Sequence, residues 1–233
     1  MIRTVVETTS TNADLLAEAR AGAPEGTWLR AERQSGGRGR LGRAWQSPPG
    51  NLYASTIVRL RTHDPDPATL ALVAAVALEE VASAYAGAAP LAIKWPNDLM
   101  AGSAKLAGIL LERAGDAVVI GFGVNLAHHP KGLERPVTSL AAIAASAPEP
   151  DAFLTDLAEA VARWLARWRA EGLAPVIHRW LARAHPICTA LTAATPEGQV
   201  DGLFAGLTPD GALRLRRADG GVEVIRAGDV FLI

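Results

Sequence analysis

The sequence has little cysteine, little net charge and no long uninterrupted apolar run. Cys188 is the single cysteine, which excludes an intramolecular disulfide and a multi-cysteine zinc site and is typical of a protein from a reducing compartment. We expect its side chain to be buried as a small apolar group. The formal net charge is −1, so the sequence predicts no chain-wide basic surface for nucleic acid. Any anion-binding site must therefore be local.

Signals for export or membrane insertion are also missing. The first ten residues, MIRTVVETTS, lack the apolar core of a signal peptide, and the longest apolar stretch, TLALVAAVALEEVASAYAG, is interrupted by Glu79 and Glu80. We therefore expect a cytoplasmic protein with no membrane partner. The chain has 233 residues, of which 49% are hydrophobic, and this is enough for one sizeable core.

The hydrophobic pattern predicts an α/β (α+β) protein. Predicted strands cover residues 2–7, 27–33, 51–60, 90–95, 105–112 and 117–125. Predicted helices cover residues 13–21 and 68–86, a segment that begins after Asp151 as N-cap, and a shorter segment that ends before Pro186. Beyond residue 188 the pattern changes to short strands separated by turns, at 199–207, 212–217, 222–227 and 229–233. We therefore divide the chain into a larger domain, 1–187, and a small β-domain, 188–233, that packs on it.

The most unusual segment is ERQSGGRGRLGRAWQSPPGN, residues 32–51, between two predicted strands. Its glycines allow the backbone to approach a ligand closely, and Arg38, Arg40 and Arg43 carry guanidinium groups that match carboxylate or phosphate oxygens. Taken alone, the segment fits an anion-binding loop and a solvated surface loop equally well. It matches neither a P-loop nor a dinucleotide fingerprint, because no GK[ST] follows and the glycines precede a strand. A nucleic-acid-binding module would normally carry more aromatic residues and a basic face.

A second polar segment, KWPNDLM at residues 94–100, follows a predicted strand. Asn97 and Asp98 beside Lys94 are suited to Mg²⁺ and to phosphate groups that the ion bridges, although an ordinary Pro-Asn-Asp turn has the same sequence. The next two predicted strands carry a lysine, two glycines that permit close ligand contact, and an amide: Lys105, Gly108, Gly123 and Asn125.

In this order and spacing, STN, QSGGRGRLGRAW, NLYAS, KWPNDLM, KLAGILLE and GFGVNLA resemble the biotin protein ligases over essentially the whole chain. The resemblance implies a mixed β-sheet flanked by helices, like that of class II aminoacyl-tRNA synthetases, and a small C-terminal SH3-like β-barrel. It also implies a two-step reaction that uses ATP, Mg²⁺ and biotin. Biotin is activated as biotinyl-5'-AMP, and a lysine of a biotin carboxyl carrier protein then accepts the biotinyl group.

The resemblance also assigns roles to residues. The catalytic residues are Lys105, Arg38 and Arg40. The biotin-binding residues are Ser10, Thr11, Asn12, Gln34, Gly37, Arg38, Arg40, Ser55, Lys105, Gly108 and Gly123. The nucleotide-binding residues are Arg40, Arg43, Trp45, Lys94, Asn97, Asp98, Lys105 and Asn125, with Trp45 stacked on adenine. Asp98 is in addition a candidate ligand of Mg²⁺.

Other interpretations remain open at this point. A lipoate or octanoate protein ligase shares the fold and the adenylate chemistry, but KWPND and GRGRLGR favour biotin. A non-catalytic biotin or nucleotide sensor would not need Lys105. Because no helix-turn-helix precedes residue 1, the chain resembles the monofunctional ligases, which are not expected to bind DNA; a homodimer is possible. The ending RAGDVFLI departs from the Ser-Gly-Glu-Val pattern of the family at Ala227 and Asp229. Four tryptophans are expected in the core: Trp95, Trp164, Trp168 and Trp180.

Overall fold

The computed structural model describes residues 1–144, 146–196 and 198–232. The strands are β1 (Ile2–Thr8), β2 (Trp28–Gln34), β3 (Leu52–Arg59), β4 (Leu91–Lys94), β5 (Asp98–Ala101), β6 (Ala104–Ala114), β7 (Ala117–Val124), β8 (Ala190–Thr195), β9 (Gly198–Leu207), β10 (Leu213–Arg216), β11 (Val222–Ile225) and β12 (Asp229–Leu232). The helices are α1 (Thr11–Arg20), α2 (Leu70–Tyr85), α3 (Leu140–Ala144), α4 (Pro150–Glu171) and α5 (Ala174–Ala182).

A mixed sheet forms the centre of the molecule. Among the described residues it has seven strands in the order β1-β2-β3-β7-β6-β5-β4. Strands β1 and β2 are parallel, and each other pair of neighbours is antiparallel. The predicted α/β class with a mixed sheet and flanking helices is thus confirmed.

The two faces of this sheet are covered differently. On one face α1 packs Leu15 and Ala19 against Ile57 and Val119. On the other face α2 and α4 contribute to the main hydrophobic core. Side chains alternate between the faces of a strand, and cross-strand pairing places Ser55 beside Gly121 on the same face as α1. Beyond the N-terminus of α1, this face of the sheet carries glycines instead of larger side chains, at Gly108 of β6 and at Gly121 and Gly123 of β7, and it is left open.

Helix α2 is the core helix of the molecule. Together with the 3-10 turn before it, residues Pro67–Tyr85 are long and apolar enough to cross a membrane, but 67% of the most apolar window is buried inside the protein. Glu79 on this helix is 0% exposed, and Arg179 of α5 donates to its carboxylate at 2.8 Å. The helix therefore buries its apolar side chains against the sheet and against α4 and α5.

The C-terminal strands form a separate antiparallel sheet in the order β11-β10-β9-β8-β12. Its apolar face joins the main core, where the rings of Phe204 and Trp180 meet edge to face with centroids 6.2 Å apart. Hydrogen bonds also cross the junction: Lys94 Nζ donates to the carbonyl oxygen of Val230 at 2.7 Å, and the Trp95 indole donates to that of Gly211 at 3.2 Å. The small β region is therefore packed on the larger part, whereas the division at residue 187 stays a prediction.

Three elements were not predicted from the sequence. Strand β5 begins at Asp98, within the segment KWPNDLM, for which no second strand was predicted. Strand β8 has the sequence ALTAAT, and alanine has a low strand propensity. Helix α3 has only five residues, too few to show a helical period. In each case pairing or packing with distant residues stabilises a segment whose local pattern is weak.

Two local predictions were wrong. Asp151 is not an N-cap, because α4 begins one residue earlier at Pro150, and its carboxylate instead pairs with Arg30 at 3.0 Å. Cys188 is exposed, because it lies in the turn before β8, outside the hydrophobic clusters. The four tryptophans are buried as expected. The last residue of the predicted strand 229–233, Ile233, lies outside the described residues.

Candidate active site

A cavity of about 770 Å³ opens on the sheet face that carries the glycines of β6 and β7. It is bounded by the N-terminus of α1, the Gly/Arg loop (residues 35–51), the segment 130–137 and strand β12. Fifteen of the predicted site residues line it: Ser10, Thr11, Asn12, Gln34, Arg38, Arg40, Arg43, Trp45, Lys94, Asn97, Asp98, Lys105, Gly108, Gly123 and Asn125. Segments far apart in the sequence thus converge on one site.

A carboxylate between two lysines forms the floor of this cavity. Lys94 ends β4 and is paired across the hairpin with Asp98, the first residue of β5. The Asp98 carboxylate lies 2.9 Å from Lys94 Nζ and 2.5 Å from Lys105 Nζ. Burial by itself would raise the pKa of Asp98, but the attraction of the two ammonium groups outweighs this and lowers the pKa below its usual value. Asp98 therefore stays ionised and holds Lys105 in place.

The predicted role of Asp98 as a Mg²⁺ ligand meets a competing arrangement. Its two carboxylate oxygens are each engaged by a lysine. Within the described ranges, no three His, Cys, Asp or Glu side chains come together as a metal site. A dication at Asp98 would also lie next to two ammonium groups, which repel it. As arranged here, Asp98 is a counter-ion for lysine rather than a free metal ligand.

The Gly/Arg loop turns its arginines towards the C-terminal sheet. Arg43 is paired with Asp229 of β12, and Arg40 lies 3.4 Å from the same carboxylate. Arg40 also donates to the side-chain oxygen of Asn97 at 3.5 Å. Leu41 at the tip has φ of 56° and is 82% exposed. One carboxylate therefore gathers two of the predicted phosphate-binding arginines at the edge of the cavity.

A chain of polar side chains lies at the N-terminus of α1. The amide N–H of Thr11 donates to Gln34 Oε1 at 2.9 Å, and the Thr11 hydroxyl lies 2.7 Å from that of Ser55. Ser55 in turn donates to Asn12 Oδ1 at 2.6 Å. Ser10 caps the helix by accepting from the N–H of Ala13 at 3.4 Å. The helix start thus presents amide and hydroxyl groups suited to a polar, uncharged ligand group.

Two family models match the chain over most of its length. One, described as the biotin/lipoate A/B protein ligase family, matches residues 4–125, and the other, the biotin protein ligase C terminal domain, matches residues 189–233. The chain belongs to the biotin protein ligase family. A protein of Paracoccus denitrificans named biotin–[acetyl-CoA-carboxylase] ligase is 40% identical, over 97% of this chain and 98% of its own.

Solved structures of biotin protein ligases share the fold. The Aquifex aeolicus ligase in complex with biotin and ATP superposes with a TM-score of 0.90 at 23% identity, covering 100% of this chain and 99% of that one. The Leishmania major ligase in complex with biotinyl-5-AMP has a TM-score of 0.65 at 27% identity, covering 97% of this chain and 98% of its own. The resemblance inferred from the motifs is thereby confirmed.

The ligase cavity carries a concentrated positive charge. Six basic side chains line it, against two carboxylates, those of Asp98 and Asp229. The basic residues are Arg38, Arg40, Arg43, Lys94, Lys105 and Arg135. Because the whole chain has a net charge of −1, this positive charge is local, as the sequence required. It suits a ligand with several negative charges.

Trp45 is in close contact with the glycines that strands β6 and β7 contribute to the cavity. A Cβ built on Gly123 would lie 2.6 Å from Cε2 of Trp45, and the Lys105 ammonium lies 5.5 Å from the indole centroid. The predicted nucleotide-binding tryptophan therefore lies against a predicted biotin-binding glycine, within one cavity. Gly37 and Ser55 lie one layer behind the wall, where Ser55 is 0% exposed and supports Thr11 and Asn12.

The cavity wall formed by the segment 130–137 and strand β12 was not predicted from the sequence. Arg135 lies over the ring of Phe231 with Cζ 3.9 Å from the centroid, and both residues line the cavity. Asn125 donates to the carbonyl oxygen of Thr138 at 2.9 Å and so fixes the end of this segment. No periodic pattern marks residues 130–137, and Asp229 was noticed only as a departure from the family ending.

Proposed function

We propose that this protein is an ATP-dependent ligase that activates biotin as biotinyl-5'-AMP and transfers the biotinyl group to a specific lysine of a biotin carboxyl carrier protein. The observation that carries the proposal is the position of Lys105, whose ammonium group is held by Asp98 at 2.5 Å on the floor of the cavity. The membership in the biotin protein ligase family and the curated relative that spans the whole chain support the same activity.

The first step joins two anions. An oxygen of the biotin carboxylate attacks the α-phosphorus of ATP, the bond to the β-phosphate oxygen breaks, and pyrophosphate leaves. The chief obstacles are the repulsion of the reactants and the charge that develops on the α-phosphate, so positioning and electrostatic stabilisation dominate catalysis. We assign to Lys105 the contact with both the carboxylate and the α-phosphate, and to Arg38 and Arg40 the neutralisation of charge from the loop side.

The second step transfers the acyl group. The neutral ε-amine of the acceptor lysine attacks the carbonyl carbon of the mixed anhydride, AMP leaves, and the nitrogen loses a proton to give an amide. Until the acceptor arrives, the anhydride must be protected from water. We assign this task to the Gly/Arg loop, whose glycines permit it to close over biotinyl-5'-AMP and whose Arg40 and Arg43 reach its phosphate.

The two ligands occupy different ends of the cavity in this proposal. Biotin lies between the α1 end and Lys105, near Thr11, Asn12, Gln34 and the glycines of the sheet. The nucleotide lies near Trp45, Asn97 and the basic residues at the β12 side. Mg²⁺ would enter with ATP, and the phosphate oxygens would supply most of its ligands, because Asp98 is engaged by lysines.

Several further properties belong to the proposal. The large sheet is of the class II aminoacyl-tRNA synthetase kind, and the C-terminal sheet is an SH3-like barrel. The enzyme acts in the cytoplasm, without DNA or membrane as partner, and a homodimer is compatible with the exposed edge strand β1, where Val6 is 71% exposed.

The test is biotin-dependent exchange of labelled pyrophosphate into ATP, with lipoate and octanoate in parallel. We expect exchange with biotin and none with the other two acids. Exchange with lipoate or octanoate instead would assign the protein to that branch of the family. Binding of biotin without exchange by any acid would identify a sensor and refute the ligase activity.

A further inference from the structure

Glu112 near the end of β6 contacts the polar chain behind the predicted biotin site. Its carboxylate accepts a hydrogen bond from Asn12 Nδ2 at 2.8 Å. The same nitrogen lies 3.4 Å from the carbonyl oxygen of Leu110. Asn12 is 5% exposed and lines the cavity, whereas Glu112 lies outside the cavity and is exposed. Nothing in the proposed mechanism uses Glu112.

The chemistry of this contact sets the orientation of the Asn12 amide. An asparagine side chain can present either its NH₂ group or its oxygen in a given direction, but an ionised carboxylate accepts hydrogen bonds and cannot donate them. The NH₂ group of Asn12 must therefore face Glu112. The opposite side of the amide, Oδ1, then faces Ser55, whose hydroxyl donates to it at 2.6 Å.

This orientation passes along the chain of hydroxyl groups. Ser55 has one hydroxyl proton, and it is used on Asn12 Oδ1. Its oxygen must then accept from the Thr11 hydroxyl, which lies at 2.7 Å. Gln34 Oε1, 3.2 Å from the Thr11 hydroxyl, keeps the shorter bond from the Thr11 backbone N–H, at 2.9 Å. The Glu112 carboxylate fixes the direction of the Asn12 amide, and the donor and the acceptor in each following hydrogen bond, from Ser55 to Asn12 and from Thr11 to Ser55, are then defined.

We propose that Glu112 is a positioning residue for ligand recognition: it orients the Asn12 amide so that a carbonyl oxygen is available to accept a hydrogen bond from an N–H group of the ligand. The inference rests on the proposed function, since the ureido ring of biotin carries two such N–H groups. A carboxylate at 112 thereby supports the recognition of N–H donors without contact with the ligand. Fatty acids, which lack such donors, gain nothing from this arrangement.

Gly121 of β7 supports Asn12 from a second side. A Cβ at this position would lie 2.2 Å from Asn12 Oδ1, a distance that side chains do not tolerate. The asparagine oxygen therefore lies directly on the backbone of β7, while its nitrogen is held by Glu112. Steric contact restricts where the amide lies, and the carboxylate determines which way it faces.

The test uses two single variants and their combination, measured in the full-length protein. Glu112→Gln keeps the shape but can also donate, so the orientation of Asn12 is no longer unique. Asn12→Asp places a second carboxylate against Glu112, which is unfavourable for both. In the double variant Asn12→Asp with Glu112→Gln, the new glutamine NH₂ donates to one oxygen of residue 12 and Ser55 donates to the other, so an acceptor again faces the cavity.

We expect each single variant to weaken biotin binding about tenfold, as measured by calorimetry. The double variant should recover to within about threefold of the parent protein, and the KM for ATP and the Tm should stay near the parent values in Glu112→Gln. Glu159→Gln, on the exposed side of α4, is the charge-matched control and should bind biotin as the parent does.

Unchanged biotin binding in Glu112→Gln would overturn the proposal, as would a double variant no better than the two single ones. A lower Tm and a higher KM for ATP that accompany the weaker biotin binding of Glu112→Gln would also overturn it, because together they indicate a purely structural role. If the parent protein bound no biotin at all, the proposed function itself would be refuted, and this outcome is read from the parent before any variant is compared.

Discussion

At the scale of single residues, the site depends on charges held in place before any substrate binds. Lys105 is fixed by Asp98, and Asp98 is shared with Lys94, whose ammonium group also donates to the carbonyl oxygen of Val230. An ammonium group oriented in this way needs little reorganisation when negative charge develops on the substrate.

Replacing Lys105 by alanine should abolish most of the adenylation rate while the protein stays folded. We expect the rate of pyrophosphate exchange to fall about 10²–10³-fold, the loss typical of one preorganised charge-stabilising group. Lys131→Ala lies in the segment 130–137, but its side chain is exposed and does not line the cavity, so this variant should exchange at the parent rate. Exchange by Lys105→Ala at the parent rate would refute the catalytic role of Lys105.

Replacing Asp98 by asparagine should destabilise the protein in a pH-dependent way. Removing the carboxylate leaves the buried Lys94 and the partly exposed Lys105 without their shared counter-ion, at a cost of about 3–5 kcal/mol in the free energy of unfolding at neutral pH. Because the pKa of Asp98 is lowered in the folded protein, its stabilisation is present above the ordinary aspartate pKa and is lost as pH falls below it.

Urea unfolding between pH 7 and pH 3 tests this expectation. The difference between the parent protein and Asp98→Asn should be constant near neutrality and should shrink at acid pH, below the ordinary pKa of about 4. Asp116→Asn is the control, because its side chain is 72% exposed and exposed ion pairs contribute about 0–1 kcal/mol. A difference that grew towards low pH would contradict the assigned sign.

At the scale of elements, the Gly/Arg loop and strand β12 act together. In the loop, Arg40 and Arg43 form ion pairs with Asp229 of β12. An incoming phosphate offers the same arginines an alternative anion, so we expect the loop to rearrange when the nucleotide binds. Arg43 and Asp229 are 186 positions apart in the sequence, and no sequence pattern links them.

Replacing Arg40 by glycine should leave adenylate formation possible but weaken its retention. We expect biotinyl-5'-AMP to dissociate about tenfold faster or more, since a charge-assisted hydrogen bond contributes about 1.5–3 kcal/mol. The released anhydride should then label the lysines of unrelated proteins, which streptavidin blotting detects. Arg217→Gly, in an exposed turn, is the matched control. Unchanged leakage in Arg40→Gly would contradict the role of the loop in retention.

At the scale of the whole molecule, one hydrophobic core joins the large sheet to the C-terminal sheet. Phe204 of β9 is 3% exposed and meets Trp180 of α5, and Leu191, Leu213 and Val230 belong to the same cluster as the side chains of α2 and α4. A shared core of this kind favours cooperative unfolding of both parts.

Replacing Phe204 by alanine should therefore destabilise the whole protein. We expect a loss of about 3–5 kcal/mol, seen as one unfolding transition with tryptophan fluorescence and circular dichroism in agreement. Val222→Ala lies in the same sheet at a side chain that is 47% exposed and should change stability by about 0.5 kcal/mol or less. Two separate transitions in Phe204→Ala, with the large domain unchanged, would show that the two parts fold independently.

Much of this arrangement followed from local sequence. The helical spacing in α2 and α4, the β-branched and apolar residues of β3 and β7, and the glycine and arginine content of residues 35–43 each reflect a local requirement of backbone geometry or charge. The order of short motifs identified the family, and with it fifteen residues that line the cavity. Strand β8 escaped because its alanines carry no strand pattern, and Cys188 was misplaced because composition does not show which turns reach the surface.

The sequence by itself determined the fold class, the family and the chemical groups of the site, because periodicity, turn residues and motif order are properties of neighbouring residues. Only the tertiary structure decided which groups meet: Asp98 between two lysines, Asp229 against the arginines, and Glu112 behind Asn12. Each of these contacts joins separate elements. Each also includes a charged side chain, of a kind that usually lies on the surface of a protein without a specific role. Its role depends on the charge or the donor that the fold brings within hydrogen-bonding distance.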